Sequence, residues 1–289
     1  MAYPSYAAFL KALEDAGELR RIKEPVATEL QITEIADREM KSPGGGKALL
    51  FEKPTINGRV SAFPLAINAL GSKRRMAMAL GLESVDQLAS QLEFLMKAKP
   101  PKSFKDALKL LRNGIDLIHA RPRSVKSAPC QEVVNLVGKG EGGEGNEGET
   151  FSLDHLPILK CWPQDGGRFI TLPTVYTKDS DTGERNVGMY RIQIYDGQTT
   201  GMHWQVHKVG ARHGKRYYER GEKMPVAICL GGDPTFTLAA TAPLPDGIDE
   251  ILFAGFARKK SVDLVKCVTQ PLEVPAESCL LYTSPSPRD

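Results

Sequence analysis

The sequence predicts an α+β protein built from two units, an N-terminal α/β unit and a β-rich unit. Two observations support the division. Up to about residue 118, amphipathic helix patterns surround a buried strand pattern, whereas from about residue 119 short β-rich segments recur between turn residues. A chain of 289 residues is long enough to bury two ordinary cores. We therefore expect one domain at 1–118 and a second, a barrel or sandwich, at 119–278.

The composition is that of a water-soluble globular protein, with 41% hydrophobic and 25% charged residues. No apolar segment approaches the roughly 18 residues that a membrane helix needs, and the N-terminus lacks the pattern of a signal peptide, so we expect a cytoplasmic location. The net charge of +3 is too small to indicate a nucleic-acid partner. The five cysteines are far apart and never form Cys-x-x-Cys, which favours buried thiols over disulfides or a zinc site.

The first helix is predicted over residues 5 to 16. Its apolar residues fall at i, i+3, i+4 and i+7, the spacing of one helix face, and Gly17 stands where a C-terminal cap is expected. These apolar residues are Tyr6, Phe9, Leu10 and Leu13.

A second helix is predicted to begin at Thr28, because Gln31 follows three residues later in a capping-box pattern. It should present Ile32, Ile35 and Ala36 on one face and end at "SPGGG". The next segment, "KALLFE", has the pattern of a buried strand. "GGGKA" is not a phosphate-binding loop, since Lys47 is followed by this strand rather than by Ser or Thr and a helix.

A third helix is predicted from Ser84 to Lys97, and the proline-rich residues 97–103 should connect the two units. In the second unit, residues 138–149 are rich in Gly and Glu and have almost nothing to bury, so we expect a mobile loop.

The segment "NVGMYRIQIYDGQTTGMHWQVHK", residues 186 to 208, has the pattern of a β-hairpin turning at "DGQTTG". Alternation directs Tyr190, Ile192 and Ile194 to one face of the first strand, and its other face carries Met189, Arg191, Gln193 and Tyr195. On the second strand, one face is predicted to carry Met202, Trp204 and Val206, and the other His203, Gln205 and His207.

Pairing the two strands would put polar groups of both on one surface, more of them than a core face tolerates. This surface is either a ligand-binding wall or the wet face of an ordinary hairpin, and the pattern alone leaves both open. The other three histidines, His119, His155 and His213, have no visible partner in the sequence and are expected to be structural.

The hairpin sequence resembles a segment of the UbiD family of decarboxylases, in which Asn-x-Gly-x-Tyr-Arg precedes a Trp and then a His. Further segments match the family in the same order: "LPILKCWPQDGGRFIT", "LGGDPTFTLAATAPLPDGIDEILFAG" and "VKCVTQPLEVPA", together with the N-terminal "YAAFLKALEDAGELRRI" and "NALGSKRRMAMALG". The resemblance extends to about residue 277 and implies that the second unit is a split β-barrel that binds prenylated FMN.

The resemblance also implies an activity, namely the reversible, non-oxidative decarboxylation of an aromatic or α,β-unsaturated acid in quinone biosynthesis. A partner flavin prenyltransferase would supply the prenylated FMN, and the full-length parent would be a homo-oligomer. Peripheral membrane association follows if the substrate carries a polyprenyl chain.

Site residues follow from the resemblance by position. Asn186, His207 and Glu250 match the ligands of a divalent metal, Mn²⁺, with K⁺ as an additional ion; a hard cation prefers such oxygen ligands and tolerates one imidazole. From the residues alone, Glu250 is as well explained as a helix-start carboxylate. Arg191 matches the arginine that holds the substrate carboxylate, a role suited to its fork of N–H donors. The flavin-contacting positions are Met189, Tyr190, Arg191, His203, Trp204, Gln205, Lys208 and Val209.

The sequence departs from the family pattern after "VPAES". The family continues into a glutamate-rich strand and a Glu-Gly-Pro-x-Gly-Glu/Asp loop that supplies the proton, whereas this sequence reads "CLLYTSPSPRD". We expect residues 279–289 to be a non-native tail whose Ser/Pro repeats suit neither strand nor helix, and the chain as written to be inactive.

Two alternatives remain open. The chain is a flavin-binding remnant without turnover, or it is a flavin reductase on a split barrel, against which the absence of a nicotinamide fingerprint counts.

Overall fold

The structure is a computed structural model, and it describes residues 2–88, 121–135, 151–244 and 248–285. Within this part of the chain the fold mixes helices with five small sheets of three or four strands, so the α+β class is confirmed. None of these sheets closes into a barrel, and the predicted split barrel is not confirmed.

The helices and strands, in chain order, are α1 (Tyr6–Asp15), β1 (Leu19–Ile22), β2 (Val26–Ala27), α2 (Gln31–Met40), β3 (Ala48–Phe51), β4 (Pro54–Ile56), β5 (Arg59–Val60), β6 (Leu65–Ile67), α3 (Lys73–Leu80), β7 (Arg123–Val125), β8 (Arg168–Ile170), β9 (Thr174–Lys178), β10 (Arg185–Gly188), β11 (Ile192–Ile194), β12 (Thr200–Met202), α4 (Val209–Glu219), β13 (Pro225–Leu230), α5 (Pro234–Ala239), α6 (Glu250–Arg258), β14 (Asp263–Lys266), β15 (Glu273–Pro275) and β16 (Leu280–Pro285).

The N-terminal unit is organised around β3, the middle strand of the sheet β1-β3-β6. All four of its residues are buried because helices cover both faces: Ala48 and Leu50 pack with α1, while Leu49 and Phe51 pack with α2. The predicted first helix is confirmed as α1, which buries Phe9 and Leu13.

The start of the second helix was predicted wrongly. α2 begins at Gln31 after Leu30, whose φ is +64°. Thr28 lies before the helix and donates its hydroxyl to the carbonyl oxygen of Thr55 on β4. Gln31 does reach back, but to the backbone N–H of Ala27. Tertiary pairing of β2 with β4 therefore decides where α2 starts.

Only the beginning of the third predicted helix falls within the described residues, where 85–88 are helical. The rest of that helix, the connection 97–103, His119 and the loop 138–149 lie outside the described residues.

The β-rich unit contains a four-stranded sheet in the order β10-β9-β13-β16. One face, with Tyr176, Val187 and Ala227, packs against α5 and α6 in the largest core cluster. The opposite face, with Val175 and Val226, packs against the sheet β12-β11-β8 through Ile192. α4 also packs onto β9 and β10. The sheet thus has a core on each side, and β9, β10 and β13 have little exposed surface.

The segment predicted as a single strand up to Tyr195 is two strands in different sheets. β10 ends at Gly188 in the four-stranded sheet, and β11 begins at Ile192 in the three-stranded sheet. The chain crosses between the sheets through Met189, Tyr190 and Arg191. We call these three residues the crossing segment.

The C-terminal strand contradicts the prediction that the Ser/Pro segment suits neither strand nor helix. Residues 280–285 of this predicted tail form β16, which pairs antiparallel with β13 and places Pro285 opposite Pro225. Proline is tolerated there because this is the outermost strand of the sheet, where one row of N–H groups has no partner to lose. β16 therefore covers the edge of β13.

None of the five cysteines forms a disulfide; Cys229 and Cys267 are buried as predicted, while Cys279 is exposed.

Candidate active site

The crossing segment places Arg191 at the end of the three-stranded sheet, next to β12. The His203 backbone N–H donates to the Arg191 carbonyl oxygen, which extends the β11–β12 register and puts these two side chains on one face. Phe169 pairs with Gln193 in the same sheet and lies on that face too. The prediction that Arg191, Gln193 and His203 share a surface is therefore confirmed.

The same prediction was wrong for Gln205 and His207, and Val206 does not lie on the strand face predicted for it. β12 ends at Met202, so these residues lie in the exposed turn that leads into α4 rather than on a strand. Val206 is 80% exposed as a result.

Arg191 holds a carboxylate in this structure. Its Nη1 donates to Asp165 Oδ1 at 3.0 Å and its Nη2 to Asp165 Oδ2 at 2.8 Å, a bidentate pair. Its guanidinium carbon lies 3.9 Å from the centre of the Phe169 ring, and His203 meets the same ring edge-on at 5.2 Å. The hydrogen bonds from Arg191 lower the pKa of Asp165, which keeps this carboxyl ionised. We call Arg191, Phe169 and His203 the carboxylate surface.

Tyr190 connects the crossing segment to the start of α4. Its ring contacts Trp204 at 4.7 Å, and its hydroxyl oxygen accepts the backbone N–H of Gly210 at 3.0 Å. A Cβ at Gly188 or at Gly210 would lie 2.5 to 2.8 Å from atoms of Tyr190, so both glycines are needed for this close packing. The predicted cofactor-contacting residues thus come from three segments that meet at Tyr190.

Glu250 contacts the strand that carries Asn186. Asn186 is buried on β10, and the Glu250 Oε2 atom accepts the backbone N–H of Val187, the next residue along the strand, at 2.9 Å. Glu250 is also the first residue of α6, so its helix-start position and its contact with β10 are both real. Burial raises the pKa of Glu250, and no described residue forms a salt bridge with it. A partly buried carboxylate without a salt-bridge partner suits a metal ligand.

His207, the third predicted metal ligand, is exposed in the turn before α4, and the structure records no contact between it and Asn186 or Glu250. Across the described ranges, no three His, Cys, Asp or Glu side chains are grouped so as to hold a metal ion. A metal bound through Asn186, His207 and Glu250 stays a prediction.

Asn186 also belongs to a buried polar line that the sequence did not indicate. The Asn186 Nδ2 donates to Thr177 Oγ1 at 3.4 Å, and Thr177 Oγ1 lies 3.0 Å from His213 Nδ1. His213 Nε2 lies 3.6 Å from Asp179 Oδ2. His213, for which the sequence showed no partner, therefore has two polar neighbours in the fold, Thr177 and Asp179.

Several residues of the site had only weak signals in the sequence. The "DSDTG" segment indicates a turn, and Asp179 does accept two backbone N–H groups of that turn, but nothing local pairs it with a histidine on α4. Asp165 and Phe169 belong to a matched family segment, yet their contact with Arg191 is visible only in three dimensions.

Two family models match the chain. The 3-octaprenyl-4-hydroxybenzoate carboxy-lyase Rift-related domain matches residues 123–281, and the N-terminal domain of the same carboxy-lyase matches residues 10–95. The chain belongs to the UbiD family.

Its relatives in this family are longer proteins. A protein of Archaeoglobus fulgidus is 46% identical over 279 residues, which cover 96% of this chain and 53% of that protein. A protein of Aquifex aeolicus is 44% identical over 270 residues, which cover 93% of this chain and 52% of that protein. The chain thus spans about half the length of the curated relatives it matches.

Solved structures of UbiD-class enzymes share the fold. The closed form of vanillic acid decarboxylase from Sedimentibacter hydroxybenzoicus aligns with a TM-score of 0.76 at 25% identity, over 98% of this chain and 55% of that one. HmfF from Pelotomaculum thermopropionicum, in complex with FMN, aligns with a TM-score of 0.75 at 24% identity, over 96% of this chain and 54% of that one. The latter supports the fold alone. Among the described residues, no helix combines the length and apolar character needed to cross a bilayer.

Proposed function

We propose that this chain is the cofactor- and carboxylate-binding part of a reversible, non-oxidative decarboxylase that uses prenylated FMN. Its substrate is an aromatic or α,β-unsaturated acid. Membership of the UbiD family supports the reaction class, and the similarity to vanillic acid decarboxylase supports an aromatic acid. The matched family model is named after a polyprenylated hydroxybenzoate carboxy-lyase, which favours a role in quinone biosynthesis.

The observation that carries this proposal is the bidentate pair between Arg191 and Asp165 above the Phe169 ring. A substrate carboxylate has the same shape and charge as the Asp165 carboxylate, and an aromatic ring attached to it can pack against Phe169. In the proposed reaction Arg191 binds the carboxylate that is lost and fixes its orientation relative to the cofactor.

For the cofactor, the chain offers the residues around Tyr190 and the pair Asn186 and Glu250. The oxygens of this pair, with the His207 imidazole, would hold Mn²⁺ against the flavin phosphate, and a Glu250 carboxylate that pairs with no cation among the described residues fits that role. Prenylated FMN, when bound, supplies the electron sink that decarboxylation requires. Tyr190 and Trp204 would orient its ring system.

Binding of benzoate to the 289-residue chain tests the carboxylate surface. Arg191→Lys should weaken benzoate binding about tenfold or more, because a point charge cannot form two parallel N–H bonds to one carboxylate. Isothermal titration calorimetry of both proteins gives the ratio. Arg168→Lys is the matched control, since Arg168 lies on β8 of the same sheet and pairs with Asp154 instead.

Equal affinities in the wild type and Arg191→Lys would contradict the proposed carboxylate role. An equal loss in Arg168→Lys would show that general charge, rather than the Arg191 fork, attracts benzoate.

A further inference from the structure

Four buried polar side chains form a continuous line from the four-stranded sheet to α4. Asp179, His213, Thr177 and Asn186 are each at most 6% exposed. Burying polar groups this deeply costs free energy unless they are hydrogen-bonded. Four of them in one line between a sheet and a helix therefore indicate a role beyond packing. The line ends at Asn186, which the proposed function assigns to the metal.

The direction of the hydrogen bonds is set at the Asp179 end. Arg216 and the backbone N–H groups of Asp181 and Thr182 lower the pKa of Asp179, so this carboxylate can only accept. Burial lowers the pKa of His213, which makes the neutral ring the relevant form. The single ring proton then belongs on Nε2, which faces the carboxylate, and Nδ1 is left as an acceptor.

The Thr177 hydroxyl has one proton and donates it to His213 Nδ1 at 3.0 Å. Its oxygen can therefore only accept from Asn186, so the Asn186 amide must present its NH₂ group to Thr177. The Tyr190 hydroxyl oxygen lies 3.5 Å from the same Asn186 nitrogen. With its nitrogen fixed on this side, the amide oxygen of Asn186 points away from the line.

We propose that Thr177 and His213 are positioning residues that fix the Asn186 amide with its oxygen available to a cation. This inference rests on the proposed function, because it assumes that Asn186 is a metal ligand. It adds to that function that Thr177 on β9 and His213 on α4 hold the Asn186 side chain in one orientation. Partners that orient a metal ligand typically change metal affinity by about 10- to 100-fold when they are removed.

Mn²⁺ binding to the purified 289-residue chain tests the inference without any need for turnover. Free Mn²⁺ is measured by electron paramagnetic resonance during titration with MnCl₂ alone. Thr177→Val, which keeps the shape but removes the hydroxyl, should weaken Mn²⁺ binding about tenfold or more. Thr177→Ser restores the hydroxyl and should bind within about twofold of the wild type, a rescue that a role in packing alone would not produce.

Thr174→Val is the matched control. Thr174 is also buried on β9, and its hydroxyl donates to the Cys229 carbonyl oxygen, away from Asn186. It should lose similar thermal stability and keep its affinity for Mn²⁺. If Thr177→Val does not fold, His213→Leu tests the same line from α4 and should weaken Mn²⁺ binding by a similar factor.

Wild-type affinity in Thr177→Val, or equal losses in Thr177→Val and Thr174→Val, would overturn the inference. Asn186→Ala separates this failure from failure of the proposed function. If Asn186→Ala abolishes Mn²⁺ binding while Thr177→Val does not change it, the metal site stands and the positioning role is wrong. If the wild type binds no Mn²⁺, or Asn186→Ala binds as the wild type does, both are wrong.

Discussion

At the scale of single residues, Arg191 is held in one orientation by its neighbours. Its charge is permanent, its guanidinium packs on Phe169, and its two terminal nitrogens already bind one carboxylate. An arginine held in this way loses little rotamer freedom when it binds an acid, because its orientation is fixed beforehand. The Asp165 carboxylate and an incoming carboxylate, however, need the same N–H groups.

We therefore expect Asp165→Asn to tighten benzoate binding, because it removes the anion that competes for Arg191. A gain of roughly fivefold corresponds to about 1 kcal/mol, the upper range for a partly exposed ion pair. Calorimetric titration of the variant measures it, with Asp154→Asn, the partner of Arg168, as the control. Weaker binding by Asp165→Asn would mean that Asp165 orients Arg191 rather than competing for it.

At the scale of elements, an ion pair connects helix α4 to the turn between β9 and β10. Asp179 is 6% exposed, accepts two backbone N–H groups of its own turn and pairs with Arg216 of α4. Arg216 lowers the pKa of Asp179 in the folded state. In the unfolded chain this carboxyl has an ordinary pKa near 3.9. The unfolded state therefore binds the proton first as the pH falls, and the stabilisation is present above about pH 4 and is lost below it.

We expect Asp179→Asn to lower the free energy of unfolding at pH 7 by about 2 kcal/mol or more, since Arg216 loses its charged partner and the turn loses an acceptor. The difference from the wild type should shrink as the pH falls below about 4. Urea unfolding at several pH values measures both effects. Asp181→Asn, in the same turn but about half exposed, should change stability by no more than about 0.5 kcal/mol at any pH. A constant difference between Asp179→Asn and the wild type across this range would contradict the assignment.

At the scale of the whole molecule, two arginines that are fully buried within the described part of the chain join distant segments. Arg75 of α3 donates to Glu18 beside β1 and to the carbonyl oxygens of Gly45 and Gly46. Arg258 at the end of α6 forms a bidentate pair with Glu277, with both distances 2.9 Å. These charges are buried only because each has an acceptor of fixed geometry, so removing one partner leaves an unpaired charge behind.

Arg258→Met should therefore destabilise the chain by about 3 to 5 kcal/mol, because the fully buried Asp233 loses the Arg258 charge beside it, while Glu277 loses its bidentate pair and keeps its contact with Lys260. Thermal and urea unfolding measure the loss. Arg38→Met, which breaks an exposed pair with Glu34 on α2, should cost no more than about 1 kcal/mol. Similar losses in the two variants would show that burial of Arg258 adds nothing to its importance.

The sequence by itself determined the features that depend on neighbouring residues. Periodicity placed α1 and its buried Phe9 and Leu13, and the apolar run placed β3, because burial repeats along the chain with the period of the element. Alternation also placed Tyr190, Ile192 and Ile194 on one face, and all three are buried in the structure, although they belong to a crossing segment and a short strand. The order of motifs was sufficient to indicate the family that the comparisons then established.

Only the tertiary structure decided which distant groups meet. Whether the chain runs on as one strand or crosses to a second sheet at residues 189–191 depends on partners for hydrogen bonding that no local pattern encodes. The same holds for Asp165 against Arg191, 26 residues apart, and for Thr177 against His213, 36 residues apart. Their types are visible in the sequence, but their contacts exist because separate sheets and a helix pack together. Local patterns thus define which side chains are buried or polar, and packing defines which of them act on each other.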